Sequence, residues 1–142
     1  MTVPMEYRRA SADFEAFLAE AADAAGLATR NQAYTMVEGV LTTFRCRLTA
    51  EEGIAFLQVL PPMLRALFVA GWDPGEARPR TWDRVDMARE VQGLREHHNF
   101  APDTAIATVV GVVRRHVDAA ALEGVLARLP PGARDFWAAR TA

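Results

Sequence analysis

Three histidines and one cysteine are the side chains of this chain best suited to metal binding or nucleophilic chemistry. His97 and His98 are adjacent, so on a helix their rings diverge by about 100° and do not readily share a metal ion. They stand at an expected helix C-terminus, where a partly charged imidazole interacts well with the dipole. His116 is expected in a last turn for the same reason. Cys46 is alone, which rules out an internal disulfide. A reactive thiolate needs a lowered pKa and a paired base. Cys46 is expected within a helix, with Arg45 and Arg47 pointing away from it, and reads as a small, partly buried residue.

The carboxylates form no acid–base pair. Asp13, Glu15, Glu20 and Asp23 run along an expected first helix and read as a solvated face. Glu51, Glu52, Asp83 and Asp86 fall in first turns, where negative charge offsets the helix dipole. The chain has no glycine-rich phosphate loop, no HExxH, no CxxC and no nucleophile elbow. These residues point to no reaction, no metal and no cofactor, and no catalysis is expected.

The most distinctive polar cluster is Trp72, Arg78, Arg80, Trp82 and Arg84. Indoles interleaved with guanidinium groups can bind anions or stack on single-stranded nucleic acid. The same residues also read as a seam, with both indoles folded inward and the arginines solvated. The second reading is preferred, so nucleic acid is not the expected partner.

The elements that position these residues are all expected to be helices. The chain has 142 residues, 51% hydrophobic and 24% charged, with a net charge of -2. It is long enough to bury a core without disulfides or metal, and its charge balance gives no general pull toward nucleic acid or anionic lipid. Every basic residue is Arg. Residues 1–9 lack the apolar stretch of a secretion signal. The densest apolar run, Ala105 to Val113, is far short of the roughly 20 residues that span a bilayer. The expected location is the cytoplasm, with no membrane partner.

The sequence repeats itself. Met36-Val37-Glu38-Gly39-Val40-Leu41 aligns with Thr108-Val109-Val110-Gly111-Val112-Val113. The segment from Leu57 to Phe68, with Leu60-Pro61-Pro62, aligns with Leu126 to Trp137, with Leu129-Pro130-Pro131. The second copy is three residues shorter in this alignment. The predicted organisation is a tail over 1–10, a first repeat over 11–70, a linker over 71–80 and a second repeat over 81–142. Each repeat is read as roughly four helices, packed about a pseudo-two-fold and sharing one core.

The helices follow from apolar period and end signals. Ser11 is placed as the N-cap and Gly26 as the stop of a helix with Phe14, Phe17, Leu18, Ala21, Ala22 and Ala25 inward. Thr29–Gln32 and Thr49–Glu52 have the form of capping boxes. They open helices carrying Ala33, Met36, Val37, Val40, Leu41, Phe44 and Leu48, then Ile54 and Leu57, with Phe56 as a further candidate. Pro61 and Pro130 end the third helix of each copy, and the following proline suits a first turn. Short helices follow, the first carrying Met63, Leu64, Leu67 and Phe68 and closed by Gly71. The linker leads to Thr81 as a cap, with Trp82, Val85, Val91 and Leu94 inward and Asn99 as the end. Pro102 opens a helix through Ile106, Val109, Val110 and Val113. Its β-branched run alone would suit a strand, but the partner copy favours helix. Asp118 caps a helix with Leu122, Val125, Leu126 and Leu129, and Phe136 and Trp137 follow. Gly39 and Gly111, matched in mid-helix at a cost of about 1 kcal/mol each, predict a close crossing of the two long helices.

The stretch Leu60-Pro61-Pro62-Met63-Leu64-Arg65-Ala66-Leu67-Phe68, with Gly71-Trp72-Asp73-Pro74, resembles the bacterial family catalogued as domain of unknown function 2267. So does the ending Val125-Leu126-Ala127-Arg128-Leu129-Pro130 through Phe136-Trp137. The resemblance covers about residues 12–138. It implies an all-helical duplicated fold and brings no catalytic residues. The expected function is a non-enzymatic helical module that binds a protein partner or itself, with residues such as Met87 or Phe56 on an exposed apolar patch. The alternative is an anion or single-strand binder that uses the Arg/Trp cluster.

Overall fold

A computed structural model describes residues 1–76, 81–93 and 104–138, and within them every regular element is a helix. In chain order these are α1 (Met5–Arg8), α2 (Ala10–Ala25), α3 (Arg30–Arg45), α4 (Ala50–Leu57) and α5 (Pro62–Val69). After the linker come α6 (Arg84–Gly93), α7 (Ala105–Arg114), α8 (Ala119–Leu126) and α9 (Pro131–Phe136). No helix of the described residues is long and apolar enough to cross a membrane.

The end signals act as their chemistry dictates. Thr29 Oγ1 accepts from the Gln32 N–H at 3.1 Å while Gln32 Oε1 accepts from the Thr29 N–H, a reciprocal capping box. Thr49 and Glu52 repeat the arrangement. Asp118 Oδ2 accepts from the Ala121 N–H at 2.8 Å. Gly26 ends α2 with φ +67°, a conformation a side chain disfavours. Pro62 and Pro131 stand in the first turns of α5 and α9, after Pro61 and Pro130.

Three boundaries differ from the sequence reading. The expected tail contains α1, and α2 begins at Ala10, so Ser11 does not cap it. Glu6 and Tyr7 of α1 face Arg65 of α5 at 3.4 and 3.3 Å. At the other end of the linker, Asp83 rather than Thr81 supplies the cap, its Oδ1 accepting from the Asp86 N–H at 2.9 Å. A carboxylate there also suits the helix dipole, and Thr81 gives its carbonyl to Arg47 instead. Leu94, His97, His98, Asn99 and Pro102 lie outside the described residues.

The core joins both ends of the chain. α2 packs on α3 and α7, α3 packs on α6 and α7, and α4 packs on α8. Phe44 of α3 is fully buried among rings from N- and C-terminal helices: Phe56 at 4.8 Å, Phe136 at 5.0 Å and Trp137 at 5.6 Å between centroids. Burying a side chain of this kind is worth about 1.5–3 kcal/mol. The segment Thr108 to Val113 is helical, within α7.

Several apolar positions turn differently from expectation. Phe56 and Met87, expected on an exposed patch, are buried, and Ile54 and Val85, expected inward, are 56% and 59% exposed. In α4 both 53/56 and 54/57 fit a helical stripe. Trp72 lies on Gly53 and Phe56 fits between Phe44 and Phe68, which decides the rotation. In α6 the inward face runs through Met87 and Val91, which leaves Val85 outside.

The two mid-helix glycines do not mark one crossing. Gly39 approaches α6, where a Cβ would stand 3.1 Å from the Val91 carbonyl oxygen. Gly111 is exposed, with nothing within 4 Å of a Cβ. Buried Met36, Val37, Val40, Leu41 and Phe44 of α3 are matched, 69 residues on, by buried Ala105, Ile106, Val109, Val110 and Val113 of α7. In that register Gly39 corresponds to Thr108, three residues before Gly111. A three-residue shift turns a helix by nearly a full turn, so the apolar pattern alone hardly separates the two alignments.

Candidate functional site

A groove of about 490 Å³ is formed where three segments meet: the first turns of α2, the α4–α5 kink and the α7–α8 turn. Its apolar surface comes from Phe14, Phe17, Val59, Met63, Leu64 and Val117. Local sequence creates each wall. Pro61 and Pro62 stop α4 and restart the chain as α5, which swings Met63 and Leu64 toward α2. Asp118 caps α8, which holds Val117 at the turn.

Polar groups stand around this apolar surface. Glu6, Asp13, Asp118, Arg65 and His116 line the groove. His116 Nε2 lies 2.6 Å from Glu20 Oε2, and Arg115 Nε donates to Glu20 Oε1 at 2.5 Å. The His116 ring also sits edge-on to Phe17, 5.3 Å between centroids. The hydrogen bond with His116 holds the Glu20 carboxyl below its ordinary range; partial burial opposes this and Arg115 adds to it. Glu20, expected on a solvated face, is thus a half-buried tie between α2 and the end of α7. An imidazole oriented by a carboxylate is one part of a nucleophilic site. Among the described residues lining the groove there is no hydroxyl or thiol for it to activate. The arrangement suits binding an apolar group with polar neighbours.

A smaller polar pocket, about 290 Å³, lies under the turn from Gly71 to Glu76 and includes Arg45 and Cys46. Cys46 Sγ donates to the Thr43 carbonyl at 3.2 Å. Arg47 does not point away from the thiol as expected: its Nη1 lies 3.4 Å from Sγ, because the guanidinium turns inward toward Thr43 O and Glu90. Among the described residues no three His, Cys, Asp or Glu side chains gather as a metal cage.

The Arg/Trp cluster divides. The Trp72 indole lies on Gly53 of α4 and 5.9 Å from the Phe68 ring. The Trp82 indole lies on Gly132 of α9, 5.9 Å from Phe44 and 6.3 Å from Phe136. Arg84 stacks its guanidinium over Phe136 at 5.8 Å and donates to the Asp135 carbonyl at 3.2 Å. Arg78 and Arg80 lie outside the described residues. Trp72 and Trp82 are half-buried and stand outside the helices, each packed on a different one, α4 and α9.

Sequence reasoning missed the groove. Its only local signal was the double proline four and five residues after Leu57; Glu20 and His116 are 96 residues apart, and no spacing rule links them.

A family model described as an uncharacterized conserved protein matches residues 14–136. No curated protein matches the chain. The matched span runs from the first turns of α2 to the last residue of α9, and so takes in nearly all of the core and the groove lining apart from Glu6, Ala10 and Asp13. By that match the chain belongs to the uncharacterized conserved protein family DUF2267.

Proposed function

We propose that this chain is a non-catalytic helical interaction module that docks a segment of a partner protein in the groove between α2, the α4–α5 kink and the α7–α8 turn. The observation that carries the reading is the groove itself: an open apolar concavity with charged groups at its edge, close to exposed Met5, Tyr7 and Met63. Such surfaces suit partner docking. The reading includes a cytoplasmic site of action, which the free thiol of Cys46 supports. The alternative, nucleic acid on the Arg/Trp cluster, is weakened because each indole commits ring surface to a glycine and a phenylalanine of the core.

We also infer that the chain is an internal duplication about a pseudo-two-fold. Two pairs of interactions support it. Arg45 donates to the Phe68 carbonyl at 2.7 Å and Arg114 to the Trp137 carbonyl at 2.8 Å, each across 23 residues. Glu20 of α2 meets His116 after α7, while Glu90 of α6 meets Arg47 after α3.

A photo-crosslinking residue at Met63, with one at exposed Val85 as control, tests the docking reading in cells. The expected result is one discrete adduct from Met63 that is absent from Val85 and lost with Ala121→Trp, which fills the groove mouth. The captured polypeptide should then bind the purified chain. If it is this same chain, light scattering should report a dimer. No adduct from Met63, or the same adducts from both positions, would overturn the reading.

A further inference from the structure

We infer that the groove receives a non-helical peptide segment of a partner protein, anchored by one large apolar side chain with basic residues beside it. This deepens the docking reading and rests on it. Its ground is what fills the corresponding place at the other end of the molecule.

The register that relates the buried positions of α3 and α7 also carries the groove residues to counterparts 69 or 70 residues away. His116 answers to Arg47, Met63 to Gly132, and Phe14 to Arg84. That counterpart place is filled by the chain itself. Residues 81–83 enter α6 without helical structure. The Thr81 carbonyl accepts from Arg47 Nε at 2.6 Å. The next residue, Trp82, lays its indole on Gly132 so closely that a Cβ there would overlap the ring. The filling is thus a short non-helical segment held by a backbone hydrogen bond from the cation and by an aromatic anchor.

The groove lacks that filling. The counterpart of Trp82 is Ala12, an exposed residue within α2, which is still helical there and sends no large side chain across. The groove keeps an apolar floor, and His116 stands where Arg47 holds the Thr81 carbonyl. About 490 Å³ accommodates a large side chain with adjoining backbone. Its lining has three carboxylates, Glu6, Asp13 and Asp118; Glu6 pairs with Arg65 of the lining at 3.4 Å and Asp13 with Arg9 at 4.0 Å, which leaves an excess of negative charge at Asp118. That excess of negative charge favours cationic neighbours for the anchor. The chain's own filling segment has such a neighbour, reading Thr-Trp-Asp-Arg over residues 81–84.

The probe is therefore a fluorescein-labelled peptide copied from residues 79–84, Pro-Arg-Thr-Trp-Asp-Arg, titrated with the full chain by fluorescence anisotropy. The peptide should bind, and replacing its tryptophan with alanine should weaken binding about tenfold or more. Ala121→Trp, at an exposed position on the groove, should weaken it by a similar factor. Met63→Gly, which copies Gly132, should strengthen it. Circular dichroism establishes that each variant is folded. Equal binding of the two peptides, no binding of either, or indifference to Ala121→Trp would overturn the inference. A Met63 adduct in cells without a tryptophan preference would sink this inference alone; a tryptophan preference without any adduct would sink the docking reading instead.

Discussion

Arg47 and Glu90 form a two-pronged ion pair between the end of α3 and α6, with Nη1–Oε2 at 2.8 Å and Nη2–Oε1 at 2.6 Å. The cation is buried, its side chain 1% exposed, while the carboxylate is 42% exposed. Arg47 also donates to the Thr43 and Thr81 carbonyls, so one guanidinium ties α3, the linker end and α6 together. Glu90 foremost pushes the Arg47 pKa above its already high value, so the group stays charged despite its burial.

Removing the carboxylate strands a buried charge. Glu90→Ala should therefore cost about 2–3 kcal/mol, the range for a charge-assisted hydrogen bond left unmade. Arg47→Lys should also destabilise, because an ammonium cannot reproduce the fork. Urea denaturation of the three proteins measures both; a loss under 0.5 kcal/mol for Glu90→Ala, on the scale of a surface pair at about 0–1, would contradict this role.

The two glycines of α3 and α7 should respond with opposite signs. Gly39→Ala sets a Cβ 3.1 Å from the Val91 carbonyl oxygen, a backbone atom that moves only if α6 moves. It should destabilise by about 1–2 kcal/mol, as overpacking does. Gly111→Ala meets nothing within 4 Å on an exposed helix face and should stabilise by up to about 1 kcal/mol. Thermal melts of both variants decide the matter, and a stabilising Gly39→Ala would refute the close approach to α6.

Acid should loosen the tie between α2 and α7. The Glu20 carboxyl is held below its ordinary value of 4.5 by His116 and then Arg115. A carboxyl with a lowered folded pKa contributes its full stability above the unfolded value and loses it as pH falls through the folded one. Urea midpoints should thus fall more steeply for the native chain than for Glu20→Gln below about pH 4.5, and the two should converge at the acid end. Parallel curves would show that Glu20 is not held.

The Arg114 clamp should matter to the end of the chain. Its Nε and Nη2 both donate to the Trp137 carbonyl, at the close of α9. Arg114→Met keeps much of the aliphatic stem but leaves that carbonyl without these donors, at a cost of about 1–3 kcal/mol. Hydrogen exchange near α9 should accelerate; unchanged protection there would argue that the clamp is dispensable.

What the sequence by itself determined was local. Capping boxes at Thr29 and Thr49, the stop at Gly26, the double prolines and the apolar stripe of α3 are set by residues within one or two turns of each other. Nearest-neighbour chemistry suffices to read them. Tertiary structure decided what local pattern leaves degenerate. Ile54 and Phe56 both fit helical stripes, and only Trp72 on Gly53 and the ring of Phe44 fix which one is buried. Gly39 and Gly111 align well in sequence, yet a shift of three residues hardly changes a helix face, so Val91 alone reveals which glycine is approached. Arg47 meets Glu90 across 43 residues and Glu20 meets His116 across 96, and the groove exists only because α2, the α4–α5 kink and the α7–α8 turn converge. Packing is a property of surfaces brought together by the whole chain, and short-range spacing has no term for it.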